Sequence, residues 1–183
     1  MRSAIGTGMP TTEKKLQELD ELIEGIETAM FTTRRHDGHL VSRPMATQKR
    51  INEADLWFVT DVDTNKLDEL DMDHHVNCAY YNYKSREWVS VSGVARAVRD
   101  RKQIHKLYKP DWKAWFGDEG GKRDGGPDDP RIMLIFVDAD SVVYMKNNKP
   151  RPVILFEVLK GIVAGTKPNA GEVRHISGGE LMD

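Results

Sequence analysis

Between residues 13 and 27 (EKKLQELDELIEGIE), apolar positions recur every three or four residues and place Leu16, Leu19, Leu22, Ile23 and Ile26 on one face. That period predicts an amphipathic helix with an acidic opposite face, capped by Thr11 or Thr12 after Pro10. The period then changes to two. AMFTTR (29–34) and LVSRPMATQK (40–49) nearly alternate on either side of Asp37-Gly38, which predicts a hairpin. A turn around Asn52-Glu53 leads into a third strand, DLWFVTD (55–61), and TNKLDELDMD (64–73) predicts a short helix started by Thr64. HVNCAYYNY (75–83) and WVSVSGVARAV (88–98) return to strand character. The second of these puts Val89, Val91, Ala95 and Ala97 on one face, with Gly93 marking a bulge or a close backbone approach.

Asp100 and Gln103 form a capping-box-like start to a helix over 100–109. Pro110 interrupts it before DWKAWF (111–116). Residues 117–130, GDEGGKRDGGPDDP, hold five glycines and two prolines, which predicts a mobile loop. RIMLIFVD (131–138) and SVVYMK (141–146) read as a last hairpin across Ala139-Asp140, and 153–164 fit either a strand or a helix. The tail from Lys167 has little core-forming character and is expected to lack order in isolation. Hairpins dominate, so the fold class is mainly β with peripheral helices. A sheet of this kind manages its edges best by closing, which predicts a small antiparallel barrel.

Composition narrows the setting. The 183 residues suffice for one domain with a real core, and a net charge of −2 creates no global field that calls for nucleic acid or an anionic membrane. No apolar run approaches the ~18–20 residues of a spanning helix, and MRSAIGTGMP lacks the apolar stretch of a secretory signal. The single cysteine, Cys78, excludes an internal disulfide and fits a reducing compartment, so a cytoplasmic location is expected. Its flanks, VNCAYY, suit a buried, inert thiol.

Candidate chemistry concentrates where the third strand meets the helix at Thr64. A helix start offers free amides and the positive end of a dipole, which suits phosphate. Thr64 adds a hydroxyl, Asn65 an amide and Lys66 a mobile charge, although TNK alone is also ordinary capping. Arg43, on the second strand, is suited to bidentate phosphate contacts. Pro44 beside it cannot donate to a ladder and belongs on an edge or at a bulge. A ligand lying along that strand, bonded to backbone near Met45 and Ala46, accounts for both residues.

SRPM in a second strand, LWFVTD in a third and TNKLDEL opening a helix together resemble the flavin-binding split barrels related to pyridoxamine 5′-phosphate oxidase. WVSVSGVARAVRDR, KPDWKAWF and DDPRIMLIFVDADSVVYM, in that order, resemble its general stress protein 26 branch. The resemblance covers roughly residues 12–165. It implies an antiparallel split β-barrel that binds FMN (FAD being the alternative) at the interface of a homodimer. Arg43 and Lys66 would then bind the phosphate, helped by Thr64 and Asn65. Pro44, Met45, Ala46 and Thr47 would line the isoalloxazine ring, and Val59 and Thr60 would flank the ribityl chain. Trp112 and Trp115 are candidates to cover the ring, with core or dimer contacts as the plainer alternative. Ser92 and Trp88 lie on a strand that approaches the cofactor in relatives. The chain divides into a flexible N-terminus (1–11), one FMN-binding domain (12–166) and a tail (167–183).

The function implied is an FMN-binding general stress protein with flavin-dependent oxidoreductase capacity toward an unidentified substrate. No side chain stands out as a dedicated nucleophile or general base. The chain ends in GEVRHISGGELMD, without the arginine and tryptophan segment that serves substrate in the oxidases proper, which argues against the vitamin B6 reaction. That reaction and a non-catalytic flavin carrier or sensor remain the alternatives. Adjacent His74 and His75 would point to opposite sides of a strand and suit no single metal. His36 and His39 flank the Asp-Gly turn as exposed residues. Residues 96–113 carry seven Lys/Arg against two Asp. Pairing with the acidic first helix or the 117–130 loop explains that better than nucleic acid.

Overall fold

The computed structural model describes residues 10–49, 55–147, 153, 165 and 171–181; the 153–164 segment left open between strand and helix lies almost wholly outside them. Helix α1 (Thr12–Ile26) starts at Thr11, whose hydroxyl accepts from the Lys14 amide. It buries Leu16, Leu19, Leu22 and Ile23, each contributing about 1.5–3 kcal/mol. The hairpin forms as the sequence predicts, from β1 (Thr28–Arg34) and β2 (Leu40–Ala46), with Gly38 in the left-handed region at φ 84°. Then follow β3 (Asp55–Asp61), α2 (Asn65–Met72), β4 (His75–Tyr81), β5 (Trp88–Val98), α3 (Arg101–Leu107) and α4 (Trp112–Phe116). Last come β6 (Ile132–Lys146), β7 (Glu172–Ser177) and a short α5 (Gly178–Leu181).

The strands form one antiparallel sheet in the order β2-β1-β4-β5-β6-β3, with β7 also paired to β6. It curls enough for Phe31 of β1 to meet Phe58 of β3 edge to face, ring centroids 5.2 Å apart, although those strands are not neighbours. It does not close. Among the described residues β2 and β3 form no ladder; just beyond β2 the chain touches β3 through the Thr47–Phe58 bridge and the 2.7 Å bond from the Gln48 amide to the Trp57 carbonyl. Elsewhere Pro44 offers no N–H to a ladder, and Arg43 turns toward α2 instead. The sheet is thus the split barrel that the resemblance implies, without the full closure that edge management alone predicts.

Two further expectations change. Residues 131–146 form no hairpin. β6 runs unbroken for fifteen residues, and Asp140 is the extra residue where Ser92 pairs with Ser141 but Gly93 with Ala139. That bulge is the one Gly93 signalled, and it lets the first half of β6 pair with β3 and the second with β7. The tail is also built in. Ile176 is buried, and Arg174 is bonded to Glu18 of α1, which also accepts from the Tyr144 hydroxyl at 3.0 Å.

The main core lies inside the curl beneath α1, and a second core joins Ile104, Leu107, Trp112, Ile132 and Leu134 under α3 and α4. Cys78 is buried in the first, and burial alone pushes its thiol far up. Ala97, expected on the inward face, is exposed near the end of β5. No helix of the described residues is long and apolar enough to cross a membrane.

Candidate functional site

At the junction of β3 and α2 the chain builds a small cradle around Lys66. Thr60 is the last inward-facing residue of β3 and is buried. After it the chain turns: the Asp63 amide donates to Asp61 Oδ1 at 2.8 Å and the Thr64 hydroxyl to the Asp61 carbonyl at 2.9 Å. That bond turns Thr64 back toward β3, so it occupies the N-cap position of α2 without capping it. The positive end of α2 is thus left uncapped by any side chain.

Lys66 folds back over this turn. Its ammonium donates to Thr60 Oγ1 at 2.7 Å and Thr64 Oγ1 at 3.3 Å, both neutral partners. Among the described residues it makes no ion pair. Burial, then the nearby Arg43 charge, outweighs the Asp61 and Glu69 carboxylates and holds its pKa below the ordinary lysine range. An ammonium held in a partly desolvated pocket with hydroxyl partners alone is suited to an anion.

Arg43 stands beside it but is already committed. Its guanidinium donates to Glu69 Oε1 at 2.8 Å and Thr33 Oγ1 at 2.9 Å. Glu69, on the inner face of α2, is buried and accepts a further 2.5 Å bond from Thr33. Two of the five guanidinium N–H groups are used in this way. Glu69 and Thr33 are the residues that sequence reasoning missed. The one available signal was a carboxylate set between Leu67 and Leu70 on a short helix.

The remaining candidates spread along the edges. On β2, Met45 points into the core, while Pro44 and Ala46 lie on the outer face. Thr47 shares a 2.8 Å hydrogen bond with Tyr80. Ala46 and Thr47 border a cleft of about 520 Å³ whose other walls include Ile23, Glu24, Lys109 and Asp111. The segment leading to Trp112 thus reaches the end of the same strand. Trp112 itself is 3% exposed, packed in the second core with Tyr108, whereas Trp115 is 87% exposed. Val59 packs against that second core, and Ser92 lies on the outer face within reach of Asn77. Asn65 is exposed at the start of α2. Strand β2, α2 and the end of β3 thus bring Arg43, Thr60, Thr64, Asn65 and Lys66 together; Ser92, Trp112 and Trp115 lie on other elements.

A family model described as pyridoxamine 5′-phosphate oxidase like matches residues 14–169. Protein bli-3 of Neurospora crassa is 36% identical over 173 residues, covering 93% of this chain and 83% of that protein. The chain belongs to the pyridoxamine 5′-phosphate oxidase-like family. Solved structures agree on its fold. A Clostridium acetobutylicum protein related to general stress protein 26 superposes with a TM-score of 0.67 at 16% identity, covering 92% of this chain and 98% of its own. The general stress FMN/FAD binding protein of Xanthomonas citri gives 0.61 at 27% identity, covering 75% and 92%. The oxidase-like family thus accounts for the split sheet.

Proposed function

We propose that this protein binds FMN, with its phosphate in the Lys66 cradle, and acts as a homodimeric flavoprotein of the general stress type. The observation that carries this is the Lys66 ammonium, held partly desolvated against two hydroxyls beside an uncapped helix start. A phosphate there gains a charged hydrogen bond and the α2 dipole, and it relieves the repulsion between Lys66 and Arg43. Arg43 contributes its charge and its remaining N–H groups while Glu69 fixes its position. Strand β2 from Pro44 to Thr47 is the edge that borders the ring. When bound, the flavin supplies electron or hydride transfer, and the chain binds and orients it. The tail's arginine, Arg174, is held by Glu18 and Glu172, which supports a role other than the vitamin B6 reaction.

The second copy is supported by the outer face of the sheet. Register places Pro44, Met30, Ala79, Ser90 and Val143 in one row. Tyr81, Trp88, Met145 and Val173 make the next. Met30, Tyr81 and Val173 are exposed. His175 extends the first row beside Val143, but the rows are otherwise mostly apolar, and a patch of this kind marks an interaction surface. Two-fold pairing covers it in both copies at once.

Titration of the apoprotein with FMN, FAD and riboflavin, followed by flavin fluorescence, tests the reading. Quenching by FMN at lower concentration than by riboflavin is expected. A colourless protein that quenches none of the three overturns it. Anaerobic addition of NADPH to the loaded protein then separates an oxidoreductase from a carrier.

A further inference from the structure

We propose that Arg131, locked by Asp129, is the positioning residue that sets the cradle turn, and that the glycine-rich segment before it is its anchor. The 117–130 segment predicts a mobile loop, yet at its end lie two of the most deeply buried charges in the described chain, Arg131 at 2% and Asp129 at 0% exposed. The guanidinium Nε and one Nη donate to the Asp129 carboxylate at 3.1 and 2.7 Å. Its other N–H groups reach the carbonyls of Phe116, Gly117 and Arg123 and the Glu119 carboxylate. Asp129 accepts in addition from the backbone amides of Arg131 and Gly125, each at 2.8 Å. Hydrogen bonds from Arg131, set against burial, bring its carboxyl down to about 2. A buried pair with its polar atoms this fully satisfied fixes one geometry.

The consequence lies on the other side of Arg131. The β3–β6 ladder ends at the Asp61–Ile132 pair, and the next bond runs from the Val62 amide to the Arg131 carbonyl at 2.9 Å. That is where β3 leaves the sheet and makes the turn carrying Thr64, Asn65 and Lys66. Arg123, in the same segment, lies 3.7 Å from Asp63 in the turn. Because the Arg131 side chain is tied at several points, its carbonyl cannot shift without breaking the knot. The point at which β3 departs, and with it the Thr60–Thr64–Lys66 geometry, is set from outside the cradle. A buried ion pair is by itself a weak source of stability; here the fully satisfied network around it is what holds one geometry.

The test uses the full chain with Arg131→Lys, which keeps the charge and loses the fork. Amide exchange of the apoprotein should show Val62 protection falling by about tenfold or more relative to β5. The second readout, which rests on the proposed FMN site, is affinity: FMN should bind roughly tenfold more weakly while riboflavin changes little. Glu18→Gln, at the distant α1–β7 contact, is the control; it should lower Tm and leave both readouts unchanged. If Arg131→Lys does not fold, Asp129→Asn, which leaves the other acceptors of Arg131 in place, carries the same measurements. Retained Val62 protection, or equal losses for both flavins, overturns the proposal. Should the native protein bind no flavin, the FMN reading fails by itself, and Val62 exchange still decides the role of Arg131.

Discussion

Arg43 of β2 and Glu69 of α2 form a partly buried ion pair at 2.8 Å, so the arginine that a phosphate would meet also holds the helix bearing Lys66 to the sheet. Burial pushes the Glu69 carboxyl up, but hydrogen bonds from Arg43 and Thr33 outweigh it and leave the pKa below the ordinary carboxylate value. The pair's stabilisation is therefore present above the unfolded carboxylate pKa and is lost as pH falls through the folded one. Arg43→Ala leaves only the Thr33 hydrogen bond and the Arg35 charge against burial, so the carboxyl pKa rises and its charge is penalised at neutral pH. A loss of roughly 3 kcal/mol at pH 7 is expected. The gap to the native protein should narrow toward about pH 4 as Glu69 takes up a proton. Thermal melts across that range check this, and a gap that widens on acidification counts against it.

Much of this was legible in the chain, and what escaped has physical causes. The β1–β2 hairpin, α1, the Thr64 helix start and the Gly93 bulge are local events, each announced by a period or a single residue type. Ala139-Asp140 looked like a turn because an extra residue in a long strand carries the same polar signature; only pairing with β5 shows it as a bulge. The tail carries little core-forming signal because Ile176 alone of β7 is buried; the rest is held by Arg174 bonded to Glu18 of α1 and by Lys15 of α1 paired with Glu180 of α5. Two tryptophans three apart gave no means of telling which one the second core takes. Glu69 was invisible as a partner because Arg43 lies on another element, and their pairing is a property of the fold.

Gly93 is required by the bulge. A Cβ there would run into the backbone carbonyl of Asp138 on β6. Gly93→Ala should cost about 1–3 kcal/mol, as overpacking does, while Gly25→Ala, with open space at its Cβ on α1, should be neutral or slightly stabilising. Urea unfolding of the two variants measures this. Equal stabilities would mean that the β5–β6 register tolerates a side chain at the bulge.

The outer face predicts how the proposed dimer would fail. Met30 and Tyr81 are exposed on adjacent rows of that face, so Met30→Glu or Tyr81→Glu places an unpaired charge in the proposed interface. Each should weaken association by roughly thirtyfold, the scale of a hot-spot loss, with little change in the fold of each chain. Sedimentation across a dilution series, with circular dichroism as the folding check, reads both. Association unaffected by either charge would remove this face as the contact.

Lys66 offers the cleanest separation of binding from stability, because its partners are neutral. Burial and the Arg43 charge lower its pKa, so the charged form is disfavoured in the apoprotein; that cost holds below the folded pKa and is relieved as pH rises through it. Lys66→Met keeps most of the stem and removes the charge. The apo Tm at neutral pH should hold or rise, and Thr60 and Thr64 keep their bonds to the Asp61 carbonyl. FMN affinity should fall tenfold or more, since one charged hydrogen bond is worth ~1.5–3 kcal/mol, with riboflavin nearly unchanged. In the native protein, FMN should return the Lys66 pKa toward its ordinary value, visible in the side-chain carbon shifts by NMR. A Lys66→Met protein that is less stable and binds both flavins equally poorly would make Lys66 a structural residue, and the phosphate would have to sit elsewhere.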